Sequence, residues 1–255
     1  MIEKTVAIKT ADGVIETFLT APQAGGPFPT VVLYMDVWGI REELFDIARR
    51  VGVAGYCCVV PDFYYRWGRV RNEFRNQKNE MISLEALSAE DKQTVLTPLS
   101  KLTDDMVVRD TGAILTFLET EPLAGKGAMG GVGYCMGGRH VFKVAGAYPE
   151  RFKAIISLHG TNLVTEQASS PHLSMKHAQG EVYCGFAEND PYAPQSTRDT
   201  LASYMRNSCA AAYSFELHPR TEHGYALPDR DIFNKQAFNR DWEIIFNIFK
   251  RQLGS

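Results

Sequence analysis

The stretch GVGYCMGG, residues 131–138, surrounds a single cysteine with glycines. Gly133, Cys135 and Gly137 make the pattern G-x-C-x-G, the cysteine form of a nucleophile elbow. A nucleophile on such a turn sits at the end of a strand, and only small neighbours let the following helix approach that strand. The first turn of the helix offers unpaired N–H groups and the positive end of its dipole, both of which favour a thiolate. The N–H of Met136 is then one donor to an oxyanion formed at the attacked carbonyl. The competing reading of Cys135 is a buried thiol in a tight glycine turn.

A thiol nucleophile needs a base, and the base needs an acid to orient it. On this type of scaffold the chain order is nucleophile, acid, histidine. VYCGFAENDPYAP supplies Asp190 in a turn after a strand, with Glu188 as the rival acid closer to the strand. YSFELHPRTEHGYALPD supplies two histidines. His218 ends the strand, whereas His223 lies in the loop beyond it beside Gly224, where a base can reach back over the sheet edge. The expected triad is therefore Cys135, Asp190 and His223. His140 reads as structural on the helix after the elbow. His159, at the end of SLHG, is placed near the pocket mouth as a substrate contact or a satisfied hydrogen-bonding group. His172 and His177 read as solvated.

The elements that must position these residues follow from the apolar pattern. TVAIKT and VIETFLT alternate like paired strands around the turn ADG. PTVVLYMD, YCCVVPDFY, AMGGVGY, FKAIISLHG, GEVYCGFAEND and AAYSFELHP read as further strands. Between them, Leu44, Ile47, Ala48 and Val51, then Val107, Thr111, Ile114, Leu115 and Leu118, fall on single helical faces. MGGRHVFKVAGAY and DTLASYMRNSCA read as helices. A last helix aligns Phe238, Trp242, Ile245 and Phe249. Strands alternating with helices imply an α/β fold with a mostly parallel sheet covered on both faces. Residues 1–255 are expected to form one domain, with residues 64–103 as a lid-like excursion that includes a short helix capped by Ser88.

Composition excludes several classes. A net charge of −3 gives no basic surplus for nucleic acid, and no apolar run reaches the length needed to span a bilayer. The five cysteines show neither a C-x-x-C pair nor zinc-ligand spacing, so free thiols, a cytoplasmic location and no metal or cofactor are expected. The start MIEKTVAIKT lacks the apolar segment of a signal peptide. The expected partner is a small-molecule ester or lactone, with the protein a monomer or homodimer and no nucleic-acid or membrane partner.

GYCMGG, FAENDPYAP and EHGY, together with PDFY and YMDVWGI, resemble the dienelactone hydrolase family of α/β-hydrolases over about residues 10–250. The resemblance implies an α/β-hydrolase fold and a hydrolase of carboxylic esters or lactones of the carboxymethylenebutenolidase type, acting through a thioester on the cysteine. It implies that Cys135 attacks the carbonyl, His223 shuttles protons, Asp190 fixes the imidazole tautomer, and the N–H groups of Val37 and Met136 form the oxyanion hole. Two departures stand out. A glutamate that aids thiol deprotonation in the family is replaced by Asp36, which is either a shorter-reach thiol activator or a carboxylate capping its own turn. An arginine that follows the histidine in the family is replaced by Leu227, which opens the pocket to bulkier or less charged substrates. Trp38, Tyr64, Tyr65 and Trp67 are candidate pocket walls. Arg66, with Arg69, Arg71 and Arg75, is a candidate substrate contact from the basic excursion.

Two other functions fit the same residues. One is hydrolysis of a different acyl bond, a thioester or a peptide. The other is a non-catalytic member that binds a small molecule, since fold alone does not carry function.

Overall fold

The structure, a computed structural model, describes residues 1–254. Among them, eight strands form one sheet in the order β1-β2-β4-β3-β5-β6-β7-β8. β1 (Ile2–Thr10) and β2 (Gly13–Ala21) form an antiparallel hairpin, and β2 pairs antiparallel with β4 (Cys57–Pro61). From there the sheet is parallel through β3 (Phe28–Tyr34), β5 (Ala124–Tyr134), β6 (Phe152–Leu158), β7 (Glu181–Asn189) and β8 (Ala212–Glu222). This is the strand arrangement of an α/β-hydrolase fold.

The burial pattern explains the division. β1 alternates between exposed and half-buried residues, as a strand at the sheet edge does. β4 and the ends of β3, β5 and β6 nearest the site are buried without alternation, as are residues 182–187 of β7, because helices cover both faces there. One face carries α1 (Glu42–Val53) and α7 (Lys235–Leu253), joined where the Arg50 guanidinium lies over the rings of Phe238 and Trp242. The other face carries α3 (Asp104–Leu118), α4 (Met136–Ala147), the short α5 (Pro171–Ser174) and α6 (Gln195–Ser208). α2 (Ala89–Lys101) belongs to the excursion between β4 and α3.

Local chemistry sets the helix starts. Thr103 accepts from the Met106 N–H at the start of α3, Ser88 from Asp91 N–H at α2, and Asn234 from Ala237 N–H at α7. α1 starts without a side-chain cap, but Glu42 and Glu43 stand in its first turn and Arg50 in its last, matching its dipole. The apolar stripes named above are the buried faces: Leu44, Ile47, Ala48 and Val51 in α1, and Phe238, Trp242, Ile245 and Phe249 in α7.

Two boundaries and the burial of one histidine differ from expectation. α6 starts at Gln195 directly after Pro194, four residues ahead of the predicted Asp199, because its first turn is polar and leaves no apolar period to read. β8 runs past His218 to Glu222, through a register shift against β7 and a left-handed Arg220 (φ 57°). His172 is buried rather than solvated, its Nδ1 2.7 Å from Ser170 Oγ and its ring against Tyr204. No helix among the described residues is long and apolar enough to cross a membrane.

Candidate active site

Cys135 sits between β5 and α4 at φ 56°, ψ −117°, a conformation that costs a residue with a side chain of order 1–3 kcal/mol. Its neighbours hold it there. The Cys135 N–H donates to Leu158 O at 3.1 Å, and its carbonyl accepts from Gly138 and Thr161 N–H at 3.0 and 3.1 Å. The flanking glycines are spatial requirements. A Cβ on Gly133 would lie 2.0 Å from Gly137 O, and one on Gly137 would lie 2.2 Å from Tyr34 O. Strand, elbow and helix thus touch backbone to backbone, which projects the Cys135 side chain, half-exposed, into a cavity of about 100 Å³. Burial pushes the other thiols up, Cys57 to about 12. None of them lines this cavity.

Asp190 follows the end of β7 and is 5% exposed. Its Oδ1 accepts from Tyr192 N–H at 2.9 Å and its Oδ2 lies 2.8 Å from His223 Nδ1. His223 follows directly on β8, and Gly224 at φ 100° turns the chain away behind it. The other ring nitrogen, Nε2, is buried without a hydrogen-bond partner among the described residues, and the ring lines the same cavity as Cys135. Burial works against the charged imidazole, but the neighbouring Cys135 and the hydrogen-bonded Asp190 outweigh it and raise the pKa to about 10. Tyr192 and His159 pack edge-on against the ring, at 4.7 and 5.0 Å between centroids.

The rivals are placed elsewhere. Glu188 is exposed, and its Oε2 accepts from Arg220 N–H at 2.7 Å, which braces the left-handed step in β8. His218 faces away from the cavity, toward Asp241 at 2.7 Å.

Val37 and Met136 both line the cavity, and among the described residues neither N–H has a protein acceptor. The turn that carries Val37 is held from two sides. Tyr64 Oη donates to Val37 O at 3.1 Å, and Trp38 N–H donates to Asp36 Oδ1 at 3.2 Å. Asp36 is 1% exposed, and both its oxygens take a fork from Arg41 at 2.8 and 3.1 Å. Arg41 reaches on to Asp229 at 2.7 Å. The Asp36 carboxylate is thus committed to its own turn and to Arg41, and it does not line the cavity.

Of the expected pocket walls, Trp38 lines the cavity and Tyr64 lies fully buried beneath it. Four expectations need correction. Tyr65 turns toward the β1–β2 hairpin and binds Thr10 Oγ1 and Asp110. Arg66 bridges Asp110 at 2.7 Å and Asp12 at 2.7 Å and does not line the cavity. Trp67 lines a surface groove with Arg69 and Lys101 and packs edge-on against Tyr64. His159 is fully buried behind His223 and does not line the cavity, neither of its ring nitrogens has a hydrogen-bond partner among the described residues, and burial lowers its pKa. Arg69, Arg71 and Arg75 do not reach the cavity either.

The cation that does reach it is Arg230, seven residues after His223 and not singled out from the sequence. It is 6% exposed, lies 5.2 Å over the Trp38 ring, and lacks both a partner for Nε and an ion pair among the described residues. Leu227, at the place where the family carries its arginine, is fully buried in the core. The apolar wall opposite comes from the excursion, through Leu84, Leu96 and Leu99. These side chains reach the site because Met81 N–H donates to Asp229 O at 2.7 Å, Asp231 N–H donates to Met81 O at 3.0 Å, and Tyr192 Oη donates to Glu85 at 2.7 Å.

Comparison with known proteins agrees with this architecture. The sequence pattern of the dienelactone hydrolase family matches residues 15–253. A protein of Methylorubrum extorquens named "Putative carboxymethylenebutenolidase" is 26% identical, covering 98% of this chain and 81% of its own. One of the same name from Synechocystis is 24% identical, covering 94% and 92%. Among solved structures, a dienelactone hydrolase from Anabaena variabilis superposes with a TM-score of 0.67 at 13% identity, covering 99% and 98%. One from Klebsiella pneumoniae, titled "Putative Dienelactone Hydrolase", reaches 0.83 at 20% identity, covering 98% of each chain. Strand order, elbow and family pattern converge: the chain belongs to the dienelactone hydrolase family of α/β-hydrolases.

Proposed function

We propose that this protein hydrolyses small esters or lactones bearing a carboxylate, through a thioester on Cys135. The observation that carries the reading is one imidazole facing two ways. His223 Nδ1 is tied to Asp190 at 2.8 Å, and its Nε2 has no partner in the cavity that Cys135 also lines. That arrangement suits a base fixed in one tautomer and aimed at a thiol.

His223 carries the proton drawn from Cys135, and the thiolate adds to the substrate carbonyl carbon. The carbonyl oxygen becomes an oxyanion that accepts from the Val37 and Met136 N–H groups. Collapse of the adduct breaks the acyl C–O bond, and His223 gives its proton to the leaving alkoxide, which in a lactone stays tethered to the acyl chain. Water then loses a proton to His223 and adds to the thioester. The second collapse releases the carboxylic acid and returns the proton to Cys135. In this scheme Asp36 braces the oxyanion turn and is not the base.

Arg230 supports the carboxylate. A buried guanidinium without a counter-ion is costly, and a substrate anion beside Trp38 would supply one. The cavity of about 100 Å³ with walls of Leu84, Leu96 and Leu99 suits a small, flat acyl group. The test is turnover of 4-carboxymethylenebutenolide and of neutral p-nitrophenyl acetate by the wild type, Cys135→Ala and His223→Ala. Turnover lost in both variants, with the carboxylate substrate preferred by the wild type, is expected. Turnover that survives Cys135→Ala would overturn the reading.

A further inference from the structure

A second buried aspartate–histidine pair lies beneath the His223 loop, and the scheme above does not use it. Asp241, on α7, is fully buried and accepts three hydrogen bonds. Tyr183 of β7 donates through its hydroxyl at 2.6 Å, His218 of β8 through Nε2–H at 2.7 Å, and Tyr225 through its hydroxyl at 2.8 Å. Three donors on one buried carboxyl group leave neither of its oxygens without a partner. β7 makes room for the cluster by lacking a side chain. A Cβ on Gly185 would lie 2.5 Å from Tyr225 Oη and 2.9 Å from Asp241 Oδ1.

Tyr225 is two residues from His223 and closes the turn that presents it. Its N–H donates to Glu222 O at 3.1 Å and its carbonyl accepts from Asn234 N–H at 3.0 Å. Its ring also meets His159 at 5.6 Å, and His159 packs on His223 at 5.0 Å. The phenol therefore fixes the loop at its base and supports the ring that backs the imidazole. Position matters here, because His223 must serve Asp190 and Cys135 at once.

We infer that Asp241 is a positioning residue for His223, acting through the Tyr225 hydroxyl to hold the histidine loop at the end of β8. The inference rests on the proposed role of His223. Asp241 and Tyr225 do not touch substrate. Their effect is on the geometry of proton transfer, so it falls on kcat rather than on KM.

The experiment compares Tyr225→Phe, Asp241→Asn, their double variant and Tyr183→Phe, each checked for folding by circular dichroism, with p-nitrophenyl acetate as substrate. Tyr183→Phe removes the same group from the same carboxylate but leaves the histidine loop tied, so it is the control for mere structural loss. In Tyr225→Phe, kcat is expected to fall about 10-fold or more with KM within about twofold, the scale of a misplaced catalytic group. The iodoacetamide alkylation rate of Cys135 is expected to fall with it. Asp241→Asn should act alike, and the double variant should lose no more than the worse single one, since both break one link. Tyr183→Phe should keep kcat within about twofold of wild type, because it moves no catalytic group. If Asp241→Asn does not fold, Tyr225→Phe and Tyr183→Phe decide alone. Unchanged kcat and alkylation in Tyr225→Phe, or an equal loss in Tyr183→Phe, would overturn the inference. That failure is distinct from failure of the triad, in which His223→Ala would itself keep wild-type turnover.

Discussion

His223 Nδ1 lies 2.8 Å from Asp190 Oδ2, and both belong to segments that follow neighbouring parallel strands, β7 and β8. The contact spans 33 residues of sequence. It therefore depends on sheet register, and Asp190 is in turn fixed by Tyr192 N–H on its other oxygen.

Asp190→Asn should lower kcat by about 100- to 10,000-fold, because an amide can hold the imidazole in the wrong tautomer. Glu188→Gln should stay within about threefold of wild type, because that carboxylate only braces the Arg220 backbone at the surface. Steady-state kinetics on the two variants checks the assignment. Equal losses would mean that the acid is misassigned.

The charge state of His223 gives a second prediction. Burial lowers its pKa, but Cys135 and Asp190 raise it further, from 6.5 to about 10. A folded-state pKa above the unfolded value stabilises the fold fully below about pH 6.5, and the stabilisation is lost as pH rises through about 10. An NMR titration should find His223 still protonated at pH 8. Cys135→Ala should lower the midpoint, because the first of the raising contributions is gone. A wild-type midpoint near the ordinary value for histidine would contradict this.

The elbow glycines predict a contrast in stability. Gly133→Ala drives a Cβ to 2.0 Å from Gly137 O, backbone against backbone, whereas a Cβ on Gly127 of the same strand meets nothing within 4 Å. Gly133→Ala should destabilise by more than about 3 kcal/mol, beyond ordinary overpacking. Gly127→Ala should lie within about 0.5 kcal/mol of wild type, as open sites usually do. Urea denaturation measures both, and a tolerated Gly133→Ala would mean that the turn is looser than described.

Two arginines separate binding from stability. Arg230→Met should raise KM about 10-fold or more for a carboxylate-bearing lactone and leave a neutral ester nearly unchanged, the usual scale for a buried charged contact. Arg66→Met should do the reverse. It leaves Asp110, 1% exposed, without its guanidinium, so stability should fall by about 3 kcal/mol with KM unaffected. Kinetics and denaturation of both variants read the distinction.

The contrast also shows what was legible in the sequence. The alternation of strands and helices, the elbow at Cys135 and the apolar faces of α1 and α7 are local patterns, and they stand where expected. Asp190 and His223 were read from chain order, one in a turn after a strand and the other in the loop beyond the next, and the structure brings the two side chains together at 2.8 Å. Arg230 could not, because it faces the cavity only through packing on Trp38 and the pairing of Met81 with residues 229–231. Arg66 and Tyr65 misled for the same reason. Aromatic and basic composition marks a segment that leaves the sheet, but not the side it folds to, and Asp110 of α3 draws both away from the site. The true end of β8 was hidden because His218 and Pro219 precede a left-handed residue within the strand, which periodicity does not reveal.

The proposed thioester on Cys135 can be trapped directly. Wild type and His223→Ala would be mixed with p-nitrophenyl acetate, quenched in acid within milliseconds to seconds, digested and analysed by mass spectrometry. An acetyl group is expected on the peptide containing Cys135 in the wild type, formed with a burst of nitrophenol and much slower in His223→Ala. Wild-type turnover with an unmodified Cys135 peptide at every time point, or with the adduct on another residue, would contradict the proposal.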